Sequence, residues 1–195
     1  MAEPRWTPVT AWAGIAAPGR LGRSDAGPGL TIELGGHVGM ASVLAPADVL
    51  GGHYGLPLAE APRFHAVGDL TLIWTAPGQW LAVGPDRGLA ARLTAELGGI
   101  AAVSDQSDAR AVVRLSGPRA RDVLAKGCPI DLHGRAFAPG QVAMTAIGHI
   151  NVMLRQIDDQ PTFEIALFRS MAGSFWSWLA ASAGEFGPQV VAARG

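Results

Sequence analysis

The sequence has little of the material from which catalytic and metal sites are usually built. It contains one cysteine, Cys128, which excludes an internal disulfide and a cysteine-based zinc site. Its five histidines are scattered, and no two have the four-residue spacing that places a pair of metal ligands on one helix face. No HExxH motif occurs, and the glycines of "GGHVGM" lack the spacing and the following helix of a nucleotide-binding loop. The residue types thus indicate neither a metalloenzyme nor a flavin or nicotinamide enzyme.

Charge is also scarce. Asp, Glu, Lys and Arg make up 16% of the chain and the net charge is −1, whereas about 25% charged residues is usual. This balance gives no field that attracts nucleic acid or an anionic membrane. No apolar run approaches the roughly 18 residues of a membrane span, and "MAEPRWTPVTAW" lacks a signal-peptide core. We therefore expect a cytoplasmic protein without nucleic-acid or membrane partners, with apolar surface left for a protein partner.

Glycine and proline are concentrated at the beginning of the chain. Residues 1–65 hold 11 of the 26 glycines and 7 of the 14 prolines, which interrupt both helix and strand patterns. We expect an irregular segment over residues 1–65 that wraps the core or a partner, with one short strand at Leu30–Leu34. Its four aromatic residues argue against simple disorder. A domain over residues 66–187 and a C-terminal tail over residues 188–195 complete the expected organisation.

Periodicity is clearer from Leu70 onward. Alternating apolar runs and helical stripes predict the order β-β-α-β-β-α-β-β-β-α. Helices separated by antiparallel strand pairs are typical of an α+β fold, and β-α-β-β-α is the pattern of ferredoxin-like units. The sequence therefore predicts antiparallel sheets with packed helices.

The last predicted helix has an unusually wide aromatic face. Phe175 and Trp178 lie on its expected core stripe, while Trp176 lies about 100° further round. Burial on two sides is therefore expected. Trp176 is covered either by the N-terminal segment of this chain or by another protein, since tryptophan is a frequent interface anchor. We take Trp176, Phe175 and Trp178 as the candidate partner interface.

Three stretches between Asp105 and Phe186 carry a resemblance to a known fold. They read "DQSDARAVVRLSGPRARDVL", "APGQVAMTAIGHINVML" and "TFEIALFRSMAGSFWSWL". Their frame of a strand, "LSGP", a helix and a "PGQ" turn into paired strands resembles the aminomethyltransferase-like, folate-binding fold of glycine cleavage T-protein. The longer stretches "DQSDARAVVRLSGPRARDVLAKGCPIDLHGRAFAPGQVAMT" and "FRSMAGSFWSWLAASAGEFG" resemble the γ subunit family of heterotetrameric sarcosine oxidase.

One segment departs from the transferase pattern. In the transferases that the chain resembles, the strand pair after "PGQ" carries an acidic loop that meets the folate amine. Here the segment reads "IGHINVML", Ile147 to Leu154, and its only polar side chains are His149 and Asn151. General acid–base catalysis needs a group of suitable pKa within hydrogen-bond reach. We therefore expect a retained scaffold without folate chemistry, and no catalytic, cofactor-binding or metal-binding residue in this chain.

The resemblance implies a non-catalytic γ subunit that structurally supports the folate-binding region of the large subunit. In that family, α, β and δ subunits accompany the γ subunit, and the complex uses FAD, FMN, NAD, tetrahydrofolate and zinc held by those other subunits. The complex oxidises sarcosine to glycine with hydrogen peroxide and, with tetrahydrofolate, forms 5,10-methylenetetrahydrofolate. Two alternatives stay open: a free-standing folate-dependent aminomethyl or methylene transferase, and a folate-fold scaffold such as an iron–sulfur assembly helper.

Overall fold

The structure, a computed structural model, describes residues 9–22, 29–36 and 38–193. Its strands are β1 (Gly19–Arg20), β2 (Thr31–Leu34), β3 (Gly39–Leu44), β4 (Phe64–Val67), β5 (Leu70–Ala76), β6 (Gln79–Gly84), β7 (Ala102–Asp105), β8 (Arg110–Ser116), β9 (Val142–Ile147), β10 (Ile150–Asp158), β11 (Thr162–Phe168) and β12 (Gln189–Ala192). Its α-helices are α1 (Ala47–Tyr54), α2 (Leu89–Glu96), α3 (Ala120–Ala125) and α4 (Ala172–Ala183). Short 3₁₀ turns at Arg169–Met171 and Gly184–Phe186 flank α4.

The strands form two sheets. The seven-stranded sheet has the order β1-β12-β2-β8-β11-β10-β9, and the five-stranded sheet has the order β4-β5-β6-β3-β7. Neighbouring strands are antiparallel except for the parallel β12–β2 pair. From β5 to α4 the elements follow the order that the sequence predicts, and the α+β fold class is confirmed.

The sheets pack face to face and the helices cover their outer faces. Helices α3 and α4 share one apolar cluster with the seven-stranded sheet, and α1 and α2 share another with the five-stranded sheet. The inter-sheet cluster lies between the two sheets and consists of Met40, Ile73, Leu81, Val142, Met153 and Ala166. Strand side chains alternate between faces, so each central strand contributes to a helix-side core and to the inter-sheet cluster. None of the helices in the described ranges is long and apolar enough to cross a membrane.

The expectation of an irregular segment over residues 1–65 is wrong for much of its described part. The strand expected at Leu30–Leu34 is present as β2, but β3, α1 and β4 are regular as well, and β3 lies inside the five-stranded sheet. Gly39 shows why the sequence pattern of β3 is hard to recognise as a strand. A Cβ there would come within 1.9 Å of the Asp86 carbonyl oxygen, so β3 needs glycine where it passes the start of α2. Residues 1–8, 23–28 and 37 lie outside the described residues.

The two ends of the described chain meet on the seven-stranded sheet. Residues 11–21 contribute Trp12 to the helix-side core and place Ala11, Ala16 and Leu21 against it. The expected tail, residues 188–195, forms β12 as far as Ala192, so the tail assignment is wrong there. A four-residue run is too short to show its period, and it becomes a strand because β1 and β2 flank it. Residues 194–195 lie outside the described residues.

Candidate functional site

The three aromatic residues predicted at a partner interface lie in different environments. Phe175 is 0% exposed within this chain and has no surface to offer, so that part of the prediction is wrong. Trp176 is half-buried, and its ring centroid lies 6.4 Å from that of Trp12 in an edge-on arrangement. Trp12 is buried, and its indole N–H donates to the Val112 carbonyl over 2.7 Å. The N-terminal segment thus contacts Trp176, whose role toward a partner stays a prediction.

Trp178 lies against two glycines from different elements. Gly127 follows α3, and Gly148 begins the turn between β9 and β10. A Cβ on Gly127 would come within 2.7 Å of Trp178 Cζ2, and one on Gly148 would come within 2.7 Å of Trp178 Cγ. The Gly148 N–H also donates to the Gly127 carbonyl over 3.2 Å. The indole therefore packs on bare backbone and holds the tip of the β9–β10 hairpin against α3 and α4.

The turn of this hairpin is the segment in which the sequence lacks an acid. Two residues connect the strands, Gly148 with φ +56° and His149 with φ +68°. Positive φ at both positions defines a type I′ turn, whose twist matches that of the flanking strands. His149 is the one non-glycine residue with positive φ in the described part of the chain. The sequence carries a signal for this bend, because Gly148 interrupts two apolar runs.

A cavity of about 390 Å³, the helix-side cavity, opens beside this turn. Its lining residues are Lys126, Gly127, Pro129, Ala146, Gly148, His149 and Trp178. Lys126 forms an ion pair with Glu185, so His149 is the ionisable side chain of the lining that has no charged partner among the described residues. A single imidazole without an orienting carboxylate is a poor general acid–base device.

A second cavity, of about 360 Å³, lies across the same hairpin on the face toward the five-stranded sheet, and we call it the inter-sheet cavity. Its lining residues are Arg110, Met144, Thr145, Ala146, Asn151, Val152, Met153 and Phe168. The carbon of the Arg110 guanidinium lies 5.1 Å from the centre of the Phe168 ring, a cation–π distance. Met144 and Phe168 are 50% and 52% exposed, so this cavity presents an apolar rim around one cation.

A ladder of alternating charges crosses four strands of the seven-stranded sheet. Glu33, Arg114, Glu164 and Arg155 lie directly opposite one another along β2, β8, β11 and β10. Glu164 accepts hydrogen bonds from Arg155 Nε and Arg114 Nη2, each over 2.9 Å. Glu33 Oε2 lies 3.9 Å from Arg114 Nη1. All four residues line a third cavity of about 310 Å³, but their charges neutralise one another, which fits a structural role better than capture of a charged ligand.

Sequence reasoning missed Arg110 and this charge ladder, although the sequence carries a signal for the ladder. Arg114, Glu164 and Arg155 each interrupt an apolar strand, in "VVRLS", "TFEIAL" and "VMLRQ". A charge at a buried strand position normally requires a partner on the neighbouring strand. Predicting which of these charges pair requires the strand order, because β11 lies between β8 and β10 only in the folded sheet.

Among the described residues, the groups that most often bind metals or act as thiol nucleophiles are dispersed or buried. No cluster of three or more His, Cys, Asp and Glu side chains suited to a metal ion occurs among them. Cys128 is buried, and burial raises the pKa of its thiol. A protonated, enclosed thiol is a poor nucleophile.

Comparison with known proteins places this geometry in a family. The model of the sarcosine oxidase, gamma subunit family matches residues 39–185. The chain belongs to this family. A sarcosine oxidase subunit gamma from Corynebacterium sp. (strain P-1) is 35% identical over 156 residues, covering 79% of this chain and 75% of that protein. One from Arthrobacter sp. is 37% identical over 127 residues, covering 64% of this chain and 59% of that protein, so the match spans under two thirds of the Arthrobacter subunit.

Solved structures agree with the gamma-family assignment. A chain of heterotetrameric sarcosine oxidase from Corynebacterium sp. U-96 matches with a TM-score of 0.74 and 26% identity, covering 85% of this chain and 90% of that chain. Glycine cleavage aminomethyltransferase T from Bartonella henselae matches with a TM-score of 0.61 and 19% identity, covering 85% of this chain and 48% of that one. The second likeness shows a shared fold, and the expected T-protein-like architecture is confirmed.

The gamma-family match includes both cavities at the β9–β10 hairpin. Their linings run from Arg110 to Trp178, inside the matched range of residues 39–185. The hairpin and its surroundings therefore lie within the part of this chain that matches the family model, whereas Trp12 and β12 lie outside it.

Proposed function

We propose that this chain is the non-catalytic γ subunit of a cytoplasmic, heterotetrameric sarcosine oxidase-type complex, and that it supports the folate-binding region of the large subunit. One observation supports the proposal that the subunit is non-catalytic. Neither cavity at the β9–β10 hairpin has an Asp or Glu among its described lining residues. Proton transfer to or from an amine needs an ionisable group within about 2.6–3.2 Å of the reacting atom. The residues that are present suit packing and docking better than chemistry.

The proposed partners are the α, β and δ subunits of such a complex, which would hold its FAD, FMN, NAD, tetrahydrofolate and zinc. Membership of the gamma family supports this assignment, as does the likeness to a chain of a heterotetrameric enzyme. The exposed apolar side chains Met144 and Phe168 support it as well, because contiguous apolar surface is often covered by another protein.

A supporting subunit must hold its own shape while it orders a neighbour. The buried pair of Arg155 and Glu164 fixes the central strands of the seven-stranded sheet, and the packing of Trp178 on Gly127 and Gly148 fixes the tip of the β9–β10 hairpin. A partner that meets such a surface loses less conformational freedom on binding than one that meets a mobile surface. The proposed role of this chain is therefore to stiffen the large subunit.

Removal of this chain from the purified complex tests the proposal. Complexes are isolated from the native host with and without the gene for this chain, and sarcosine turnover is followed through hydrogen peroxide and 5,10-methylenetetrahydrofolate. We expect hydrogen peroxide formation to persist and the folate-coupled product to fall when the chain is missing. An unchanged folate-coupled yield would contradict a supporting role. Saturable binding of tetrahydrofolate to the lone chain, measured by calorimetry, would favour the transferase alternative instead.

A further inference from the structure

One end of the seven-stranded sheet is left uncovered on the face toward the five-stranded sheet. Four side chains from four neighbouring strands form a row at this end: Arg110 on β8, Phe168 on β11, Asn151 on β10 and Ala146 on β9. Arg110 lies directly opposite Phe168, and Asn151 lies directly opposite Ala146. Ala166 and Met153, two positions along β11 and β10, share this face and pack against the five-stranded sheet. The five-stranded sheet therefore ends before this row, where the inter-sheet cavity opens.

Exposed apolar side chains lie in and around this row. Met144 and Phe168, both in the lining of the inter-sheet cavity, are 50% and 52% exposed. Met171, three residues beyond Phe168, is exposed as well. So is Val9, whose carbonyl accepts a hydrogen bond from Arg169 Nη2 over 2.7 Å. Apolar surface that extends beyond a cavity is typical of a contact with another protein, whereas a small molecule is usually enclosed.

The row also contains a cation without a counter-charge among the described residues. The Nε of Arg110 is buried without a hydrogen-bond partner, and its guanidinium forms no ion pair with any residue that the structure describes. Asp108, two residues away, pairs with Arg87 and Arg169 instead. Burial lowers the pKa of Arg110, which shows that the site penalises its charge. A carboxylate is the protein group that would complement it.

The positions of these groups set the direction in which a partner must lie. Neighbouring strands are about 4.8 Å apart, so the three spacings from β8 to β9 place Arg110 roughly 14 Å from Ala146. A strand added to the free edge of β9 would therefore be too far from Arg110 to pair with it. A segment that crosses the strands can place an acidic side chain over β8 and an apolar one over β9. An extended chain covers this distance in about four or five residues, and a helix covers it in about nine.

We call the surface formed by Arg110, Met144, Asn151 and Phe168 the β8–β9 face. We propose that the β8–β9 face is a docking surface for another subunit, which crosses the strands with one Asp or Glu against Arg110 and apolar side chains against Met144 and Phe168. The inference rests on the proposed function, since it names the surface by which this chain would meet its complex. A second copy of the chain is a poorer occupant. In a two-fold dimer the β8–β9 face would meet itself, and its described lining contains an arginine but no Asp or Glu.

Substitutions on the β8–β9 face test the charge and the apolar contact separately. Arg110→Gln removes the charge, Arg110→Lys keeps it, and Met144→Gln replaces an apolar side chain by a polar one of similar length. Arg92→Gln is the matched control, because Arg92 lies on α2, on the outer face of the five-stranded sheet, and pairs with Asp69. Binding of each variant to the complex isolated without this chain is measured by interferometry. We expect Arg110→Gln to weaken binding at least about tenfold, Met144→Gln at least about threefold, and Arg92→Gln less than about threefold. Arg110→Lys should lose less affinity than Arg110→Gln.

Salt dependence gives a readout that a purely structural role of Arg110 would not change. Charge pairing weakens as ionic strength rises, so the affinity of the wild-type chain should fall more steeply with salt than that of Arg110→Gln. Equal salt dependence of the two would contradict the ion pair. Circular dichroism and thermal melting show which variants are folded. If Arg110→Gln is not folded, Met144→Gln and crosslinking carry the test.

A photo-crosslinking residue at position 144 in the whole complex identifies the covering segment. It should capture a peptide of another subunit that contains Asp or Glu. Exchange of the charges, with Arg110→Glu in this chain and arginine at that acidic position, should restore the binding that either single change weakens. Crosslinks to residues 1–8 of this chain or to a second copy, with none to another subunit, would overturn the inference, as would unchanged binding of Arg110→Gln.

The same measurements separate this inference from the proposed function. If the wild-type chain itself fails to bind the other subunits, the proposed function fails. Wild-type binding with unaffected variants contradicts the docking surface alone.

Discussion

Arg155 and Glu164 form a buried ion pair within the seven-stranded sheet, on its face toward the five-stranded sheet. Arg155 Nε donates to Glu164 Oε1 over 2.9 Å, and the two residues are 7% and 8% exposed. They lie directly opposite each other in the β10–β11 register. Removing two charges from water is costly, and mutual hydrogen bonding offsets that cost only while both partners are present. The pair therefore makes the sheet sensitive to loss of either side chain.

Removal of one partner should be strongly destabilising. Glu164→Gln leaves Arg155 as a buried cation without its carboxylate, and we expect the free energy of unfolding to fall by about 3 kcal/mol. Glu33→Gln is the control, because that carboxylate lies 3.9 Å from Arg114 at the half-exposed end of the ladder, where about 1 kcal/mol or less is expected. Urea denaturation followed by tryptophan fluorescence measures both. Equal losses for the two variants would contradict a special role for the buried pair.

Replacement of both partners provides a second check. The double variant Arg155→Met, Glu164→Leu removes both charges while keeping apolar volume in a site that is already next to apolar side chains. Buried ion pairs are often replaceable in this way with little loss. We expect the double variant to be more stable than Glu164→Gln in the same denaturation experiment. If the double variant were as unstable as Glu164→Gln, the loss of unfolding free energy would come from altered packing and not from an unpaired buried charge.

Gly148 and Gly68 form a matched pair for testing how tightly Trp178 packs on the β9–β10 turn. Each begins a two-residue hairpin turn, with φ of +56° and +57°, but a Cβ on Gly148 would meet Trp178 Cγ at 2.7 Å while one on Gly68 would meet nothing within 4 Å. Alanine at Gly68 should cost about 1 kcal/mol for its left-handed backbone. Alanine at Gly148 should cost a further 1–3 kcal/mol or so through overpacking. Thermal melts of the two variants give the difference, and similar melting temperatures would show that the indole can move aside.

The contact between Trp12 and Trp176 should appear as a coupling energy. Edge-on aromatic pairs contribute about 0.5–1.5 kcal/mol beyond the area that they bury. We expect Trp12→Phe and Trp176→Phe to be non-additive by roughly that amount in a double-mutant cycle of unfolding free energies. Additive effects in the isolated chain, together with weaker assembly of Trp176→Phe, would instead favour Trp176 as an anchor for a partner.

Glu60 should make stability dependent on pH in the acid range. The Trp74 indole N–H, the Gly78 N–H and the Ala47 N–H all donate to its carboxylate, and they lower its pKa from the usual 4.5. The folded state then binds this proton less tightly than the unfolded state. The stabilisation is present above pH 4.5 and is lost as the pH falls through the lowered pKa.

Glu60→Gln isolates this contribution from those of other carboxylates. The variant keeps a hydrogen-bond acceptor but has no proton to bind in this range. We expect its melting temperature to fall less than that of the wild type when both are taken from pH 6 down through the acid range. Parallel curves for the two proteins would show that Glu60 does not contribute to the acid sensitivity.

Sequence reading succeeded where a local pattern was sufficient. The alternation of "TFEIAL" predicts β11, and Gly148 between two apolar runs predicts the hairpin bend. It failed where the reason for a residue lies elsewhere in the chain. Gly39 resembles a strand breaker until Asp86 is seen beside it, and Phe175 resembles an interface residue until its own face of α4 is found packed on the sheet.

The sequence by itself determined the α+β class, the element order from β5 to α4, the lack of an acid in "IGHINVML" and the resemblance to the gamma family. Each depends on neighbours within a few residues or on a matching motif. Only the tertiary structure decided that Trp12 packs against Trp176, that Glu164 joins two arginines and that Arg110 has no ion-pair partner among the described residues. These features depend on strand order and sheet packing, which bring together residues that are between 9 and 164 positions apart, and no local pattern encodes which of them will meet.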